Sequence, residues 1–165
     1  MIRKNFTFVI TTFRSGAVID ECLKDMPKDI RKIIVENSND HNLKDRLENM
    51  YENTECFLMS DNLGYGKANN FGIIKSNTDY VFILNPDTKI TDEKFTKIVS
   101  LLQEQDFAIA APQIVEKNIV YKQNKSDHQI KKVEHVFGMA MILNKRKFGN
   151  NFFDENIFLY HEEID

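Results

Sequence analysis

Tryptophan is absent from this 165-residue chain, cysteine occurs twice and proline three times. Each scarcity excludes something. Cys22 and Cys56 stand far apart and outside any metal-ligand spacing, so no disulfide framework or thiolate metal site is expected, and both read as reduced core residues. Long apolar runs are missing too. The stretch after "MIRKN" extends for only about eight residues, against the roughly 20 that a membrane span needs, and no secretory cleavage site follows it. The expectation is a cytoplasmic chain, or one held peripherally at the inner face of a membrane. Nor is there an excess of one charge: 22 basic and 25 acidic residues leave a net charge of -3. A nucleic-acid binder would normally show a basic face, so that class is set aside. An anionic ligand would need local help from a metal, a helix N-terminus or a few Lys and Arg. Repeats and low-complexity tracts are lacking as well.

What is present is an apolar share of 42%, enough at this length for one domain with a real core. "FTFVITTF" (6–13) is a β-branched and aromatic run, hence a strand. Val18, Cys22, Leu23 and Met26 follow at helical spacing, with Ser15 as the expected cap and Pro27 as the stop. "RKIIVENS" (31–38) predicts the second strand, and Leu43, Leu47, Met50 and Tyr51 predict one helical face. "ECFLMS" (55–60) is a third strand, and a glycine-containing loop then runs into a helix. "DYVFILN" (79–85) is the fourth strand. Thr91 caps a helix that turns Phe95, Ile98, Val99 and Leu102 inward, and "FAIAAP" is a short fifth strand. This alternation predicts an α/β fold, a largely parallel sheet with helices on both faces. After Pro112 a polar, lysine-rich excursion reads as an exposed hairpin. "VEHVFGMAMIL" (133–143) is predicted as one further long strand.

Ligands of open α/β sheets bind beyond the C-terminal strand ends. Those ends carry Thr11-Thr12, Glu36-Asn37-Ser38, the loop 62–66 and Asn85-Pro86-Asp87. The loop "NLGYGKANNFG" matches neither a dinucleotide fingerprint nor a P-loop. It reads either as a backbone surface for an anion at a helix N-terminus or as a mere turn opening a helix. Asn69 and Asn70, poor helix formers just inside that helix, favour the functional choice. Asp87, presented by the Pro86 turn, suits a hard divalent cation completed by water and a diphosphate; the alternative is an Asx turn capping the next segment. "YHEEID" ends the chain with Glu162, Glu163 and Asp165 beside aromatics. The surroundings suit a carboxylate base, while His161 reads as a bystander.

Together, "VITTFRSG", "IIVENSND", "NLGYGKANNFGI", "VFILNPDT", "FGMAMILNKRKF" and "FFDENIFLYHEEID" resemble family 2 glycosyltransferases of GT-A fold, nearest a rhamnosyltransferase-like branch. The resemblance covers nearly the whole chain in order. It implies transfer, with inversion, of a sugar from a nucleotide-diphosphate sugar to an acceptor hydroxyl on a saccharide or lipid-linked saccharide, in the synthesis of a cell-surface glycan. By this resemblance Thr11, Thr12, Glu36, Asn37, Ser38, Gly66, Lys67, Asn70, Asn85 and Gly138 surround the nucleotide sugar. Glu36 stands where the family usually has Asp. Asp87 holds Mg²⁺ or Mn²⁺, and Glu163, with Glu162 in reserve, is the catalytic base. Residues 1–112 would form the nucleotide half and 113–165 the start of an acceptor half, in one domain cut short of the family's usual length. Self-association is left open. Two other classes compete. A non-catalytic nucleotide-sugar-binding module would lack donor hydrolysis. A nucleotidyltransferase would need a basic, glycine-rich loop after the first strand, where "TTFRSG" offers one glycine and one Arg.

Overall fold

A computed structural model of the chain describes residues 3–116, 119, 120, 130–149 and 152–158. Strand β1 (Phe6–Thr12) leads through α1 (Ile19–Leu23) to β2 (Arg31–Glu36), then α2 (His41–Met50), β3 (Thr54–Leu58), α3 (Gly64–Lys75), β4 (Tyr80–Leu84) and α4 (Asp92–Leu102). Short strands β5 (Ile109–Ala110), β6 (Val115–Glu116) and β7 (Ile119–Val120) follow, and β8 (Ala140–Asn144) comes last. Six strands form one sheet in the order β3-β2-β1-β4-β8-β5, and β6 pairs with β7 alone. The first four are mutually parallel. Strand β8 runs antiparallel to both β4 and β5.

The strands at the sheet centre read as near-continuous apolar runs because both their faces are covered. Phe6, Phe8, Ile10, Ile34, Phe82 and Leu84 pack beneath α1, α2 and α4. Val9, Ile33, Val35, Val81 and Ile83 pack on the other side against Ala68 and Ile73 of α3, and against Phe153. The first face is built around Phe95, which meets Phe8 at 5.1 Å and Phe6 edge-on at 5.4 Å between ring centroids. Helix α3 lies unusually close to the sheet. At Gly72 an added Cβ would stand 2.4 Å from a Val9 methyl, so only glycine fits. Lys145, just after β8, donates to the carbonyls of Ile73 and Ser76 at 3.1 and 2.8 Å and so closes the C-terminal end of α3.

Two helices carry side-chain caps: Asp40 accepts from Leu43 N–H at 3.0 Å, and Thr91, as predicted, accepts from Lys94 N–H at 3.3 Å. Only Asp40 lay outside the caps read from sequence. Ser15 does not cap with its side chain. Its carbonyl accepts from Val18 and Ile19 N–H instead, and its hydroxyl serves Phe13. Met50, predicted inward, is 60% exposed, because α2 ends there and Leu43 and Leu47 already fill the contact. The long strand predicted over 133–143 is the largest difference. Pairing begins only at Ala140, and Phe137 is 53% exposed. An apolar run records what a segment can bury, whereas its pairing length is set by β4, whose register with β8 stops at Leu84–Ala140.

Candidate functional site

Strand β1 lies between β2 and β4, so the chain leaves it toward one side first and returns on the other. At such a switch point the loops part and open a crevice above the C-terminal strand ends. Register places Ile10 beside Leu84 and Thr12 beside Glu36. Thr11, Thr12, Glu36, Asn37 and Asn85 therefore share one edge of the sheet.

The turn after β4 is fixed from two directions. Within it, Thr88 N–H donates to the Asn85 carbonyl at 3.0 Å. From outside, the Met139 carbonyl accepts from Asn85 N–H at 3.0 Å and from the Thr88 hydroxyl at 3.3 Å. The turn preceding β8 thus holds the turn following β4. Asp87 sits exposed at the summit, and its carboxylate has no hydrogen-bond or ion-pair partner among the described residues. The Asx-turn alternative is not taken, since among the described residues no backbone N–H donates to the Asp87 carboxylate. Behind the turn, Cys22 Sγ lies 3.9 Å from the Asn85 carbonyl. Burial, and secondarily the charge of Asp87, push that thiol up to about 12. This cysteine stays protonated and is no nucleophile.

The loop after β2 is organised by Glu36. Its carboxylate is fully buried and accepts from the N–H groups of Ser38 and Asp40, each at 2.9 Å, and from the Ser38 hydroxyl. It therefore braces its own loop, in which Asn39 has a left-handed φ of 56°, a conformation that Asn tolerates. Ser38 Oγ also accepts from Arg14 N–H at 3.1 Å and joins this loop to the one after β1. Asn37 links β2 to the start of α3: its N–H donates to the Thr12 carbonyl at 2.8 Å and its side chain reaches the Gly64 carbonyl at 3.4 Å.

The glycines of the third loop do something the sequence does not announce. Gly64 has φ 77°, and a Cβ there would lie 2.4 Å from the Phe158 carbonyl oxygen. At Gly66 a Cβ would press on the Asp154 carbonyl and on Phe153 Cβ, both at 3.3 Å. Their bareness admits the segment 153–158. That segment also occupies the helix N-terminus, since Tyr65 N–H donates to the Phe158 carbonyl at 3.0 Å while Gly64 N–H goes to Asn62. Asn69 is fully buried, accepts from the Thr11 hydroxyl and donates to the Tyr65 carbonyl, each at 3.1 Å. Asn70 pairs with the backbone of Phe153. Lys67 is exposed on α3. Gly138, expected on a strand, lies instead in the turn before β8, where its carbonyl accepts from the Tyr65 hydroxyl at 2.6 Å. Tyr65 and Met139 connect three loops here, and only the glycines flanking Tyr65 hinted at it in the sequence. His161, Glu162 and Glu163 lie outside the described residues.

The model for the family described as glycosyl transferase family 2 matches residues 7–165, nearly the full length. The chain belongs to that family. A curated relative, the low-salt glycan biosynthesis hexosyltransferase Agl10 of Haloferax volcanii, is 23% identical over 98% of this chain and 60% of its own length. Among solved structures, S. aureus TarS 1–349 in complex with UDP superposes with a TM-score of 0.76 at 17% identity, over 96% of this chain and 52% of that one. The mannosyltransferase PcManGT from Pyrobaculum calidifontis, in complex with GDP-Man and Mn²⁺, gives 0.68 at 11% identity, over 95% and 49%. The fold of this family 2 chain is therefore GT-A, and the chain spans about half to three-fifths of these relatives' lengths. No helix among its described residues is long and apolar enough to cross a membrane.

No cluster of three or more His, Cys, Asp or Glu side chains able to hold a metal ion occurs among the described residues. From the described residues, a hard cation at Asp87 would take this one carboxylate, with other oxygens drawn from water and ligand. Mg²⁺ commonly binds in this way beside phosphates. The exposed Asp87 carboxylate, without a partner among the described residues, fits that role.

Proposed function

We propose that this chain carries the donor side of a glycosyltransferase that moves a hexosyl or rhamnosyl group, with inversion, from a nucleoside-diphosphate sugar to an acceptor hydroxyl in cell-surface glycan synthesis. One observation carries the reading. In a family 2 chain, a carboxylate without a partner among the described residues, Asp87, stands on a doubly anchored turn at the switch point of the sheet. Support comes from the neighbours of like fold, whose structures hold UDP, UDP-GlcNAc or GDP-Man. Thr11, Thr12, Asn37, Ser38, Lys67, Asn85 and Gly138 edge the crevice in which the nucleotide sugar would lie. Residues 1–112 supply most of that edge, and 113–165 open the acceptor side, where a saccharide or lipid-linked saccharide would bind.

Glu163, or Glu162 in its place, takes the proton of the acceptor hydroxyl as its oxygen attacks the anomeric carbon, and the nucleoside diphosphate leaves from the opposite face. Charge on the sugar at that moment is oxocarbenium-like. Asp87 would hold a divalent cation, Mg²⁺ or Mn²⁺, whose Lewis acidity would neutralise charge on the departing diphosphate. The turn set by Met139 keeps Asp87 in place, so that its position need not be organised during the reaction.

Thermal denaturation with UDP, dTDP and GDP, each with and without Mn²⁺, tests the reading. One nucleotide should stabilise the chain, more strongly with the metal; at 100 times its dissociation constant the gain is about 2.7 kcal/mol. In Asp87→Ala the metal-dependent part should vanish. Equal increments in Asp87→Ala and the parent, or no response to any nucleotide, would sink the proposal. Replacing Glu163 by Gln should lower the transfer rate by roughly 10²–10⁴-fold while nucleotide binding persists.

A further inference from the structure

The segment 153–158 is attached to α3 in a way that neither packing nor helix propensity requires. Asn70, buried to 6% exposure, donates through Nδ2 to the Phe153 carbonyl at 2.9 Å and accepts through Oδ1 from Phe153 N–H at 3.0 Å. Its second N–H points to Glu155 Oε1 at 3.3 Å. Both donors of the carboxamide are thereby spent, leaving none for a nucleotide. One turn earlier, Tyr65 N–H holds the Phe158 carbonyl, and the missing side chains of Gly64 and Gly66 make room for the same segment. The Phe153 ring packs edge-on to Tyr65, centroids 6.1 Å apart.

We propose that Asn70 is a positioning residue for the acidic pair Glu162-Glu163: its clasp on Phe153 seats the segment that delivers those carboxylates. The inference rests on the reading of Glu163 as the base and gives Asn70 a role other than contact with the donor. Glu163 follows Phe158 by five residues, so an extended chain carries it no farther than about 18 Å from that anchor. Fixing Phe158 at the start of α3 therefore limits how far the base can stray from that anchor. With the clasp open, the carboxylates would sample many placements, and a misplacement of about 1 Å can cost on the order of 10²-fold in rate. Donor affinity would be little changed, because the groups that edge the nucleotide crevice belong to other loops, apart from Lys67, which is exposed on α3 and takes no part in the clasp.

The test uses the full chain with Asn70→Asp, which keeps size and acceptor but loses both donors, and Asn70→Ala as a second variant. Three quantities are read: amide hydrogen exchange at residues 153–158, nucleotide dissociation constant, and kcat with KM for transfer. Expected are exchange at least tenfold faster, a dissociation constant and donor KM within twofold of the parent, and kcat lowered at least tenfold in both variants. A tenfold weaker nucleotide affinity, unchanged exchange, or kcat within twofold despite faster exchange overturns the proposal. Exchange and affinity need no catalysis, so they judge the clasp even if Glu163→Gln shows that another group is the base.

Discussion

Single side chains in this molecule divide sharply between those that brace loops and those that face the crevice, and their hydrogen-bond inventories decide which. Glu36 and Asn70 look alike in sequence to Asp87 and Asn85: all are polar residues at strand ends or a helix start. The structure parts them. Glu36 spends its oxygens on Ser38 and Asp40, and Asn70 spends its amide on Phe153, whereas Asp87 spends nothing on the described protein. Lys32 offers a prediction at this scale, far from the crevice. It is 2% exposed at the start of β2, and its ammonium donates to the carbonyls of Ile30 and Glu52, both at 3.0 Å. Burial, the dominant cause, pulls its pKa down to about 8. The unfolded chain holds that proton up to about pH 10.4, so between those values the unfolded state binds more protons and stability from this group rises with pH. Below about pH 8 the full penalty of a buried charge remains. Denaturant titrations at pH 7 and 10 should show the parent gaining on Lys32→Met, by at most about 3 kcal/mol. A difference that is flat or of opposite sign between the two pH values would exclude this burial cost.

Among the elements, α3 carries the most consequences. It packs close to the sheet at Gly72, is closed at its C-terminal end by Lys145, and receives segment 153–158 at its N-terminal end. Gly64→Ala should therefore be costly twice over. A φ of 77° strains any side chain by about 1–2 kcal/mol, and the new methyl would overlap the Phe158 carbonyl. The expected result is a fall in melting temperature together with faster amide exchange at Tyr65, whose hydrogen bond to Phe158 is displaced. At Gly72, Ala should cost about 1–3 kcal/mol by overpacking against Val9, with exchange at Tyr65 unaffected. Equal effects of the two substitutions on Tyr65 would contradict this separation. The helices and the first four strands were legible because their apolar periodicity is local. The approach of segment 153–158 to the glycine loop was not legible: sequence shows that backbone is bare there, not which atoms come close to it. The long strand over 133–143 failed for a related reason, because pairing partners are supplied by β4 and β5 from elsewhere in the chain.

At the scale of the molecule, the polar excursion after Pro112 divides the sequence but not the sheet. Strand β8 lies between β4 and β5 and contributes Ala140, Met141, Ile142 and Leu143 to both faces of the core. A chain ended at residue 112 would leave β4, one of the two central strands, as a bare edge, and β5 without its partner. Far-ultraviolet circular dichroism and urea titration of that fragment should show loss of cooperative unfolding. A fragment that unfolds as sharply as the parent would mean that β8 is dispensable. The same strand also couples fold to chemistry, because the turn that begins it holds the Asp87 turn through the Met139 carbonyl.

By itself the sequence determined the alternation of strands and helices, the parallel run of the first four strands, and a set of polar residues at their C-terminal ends. Those are properties of local spacing, and hydrophobic burial enforces them wherever the chain folds. Only the tertiary structure decided which of those polar residues face the crevice and which are consumed by neighbouring loops. A hydrogen-bond donor or acceptor is spent or kept according to what stands within about 3 Å of it, and for Glu36, Asn70 and Asp87 that neighbour, or its absence, is set by chain packing that spacing does not encode.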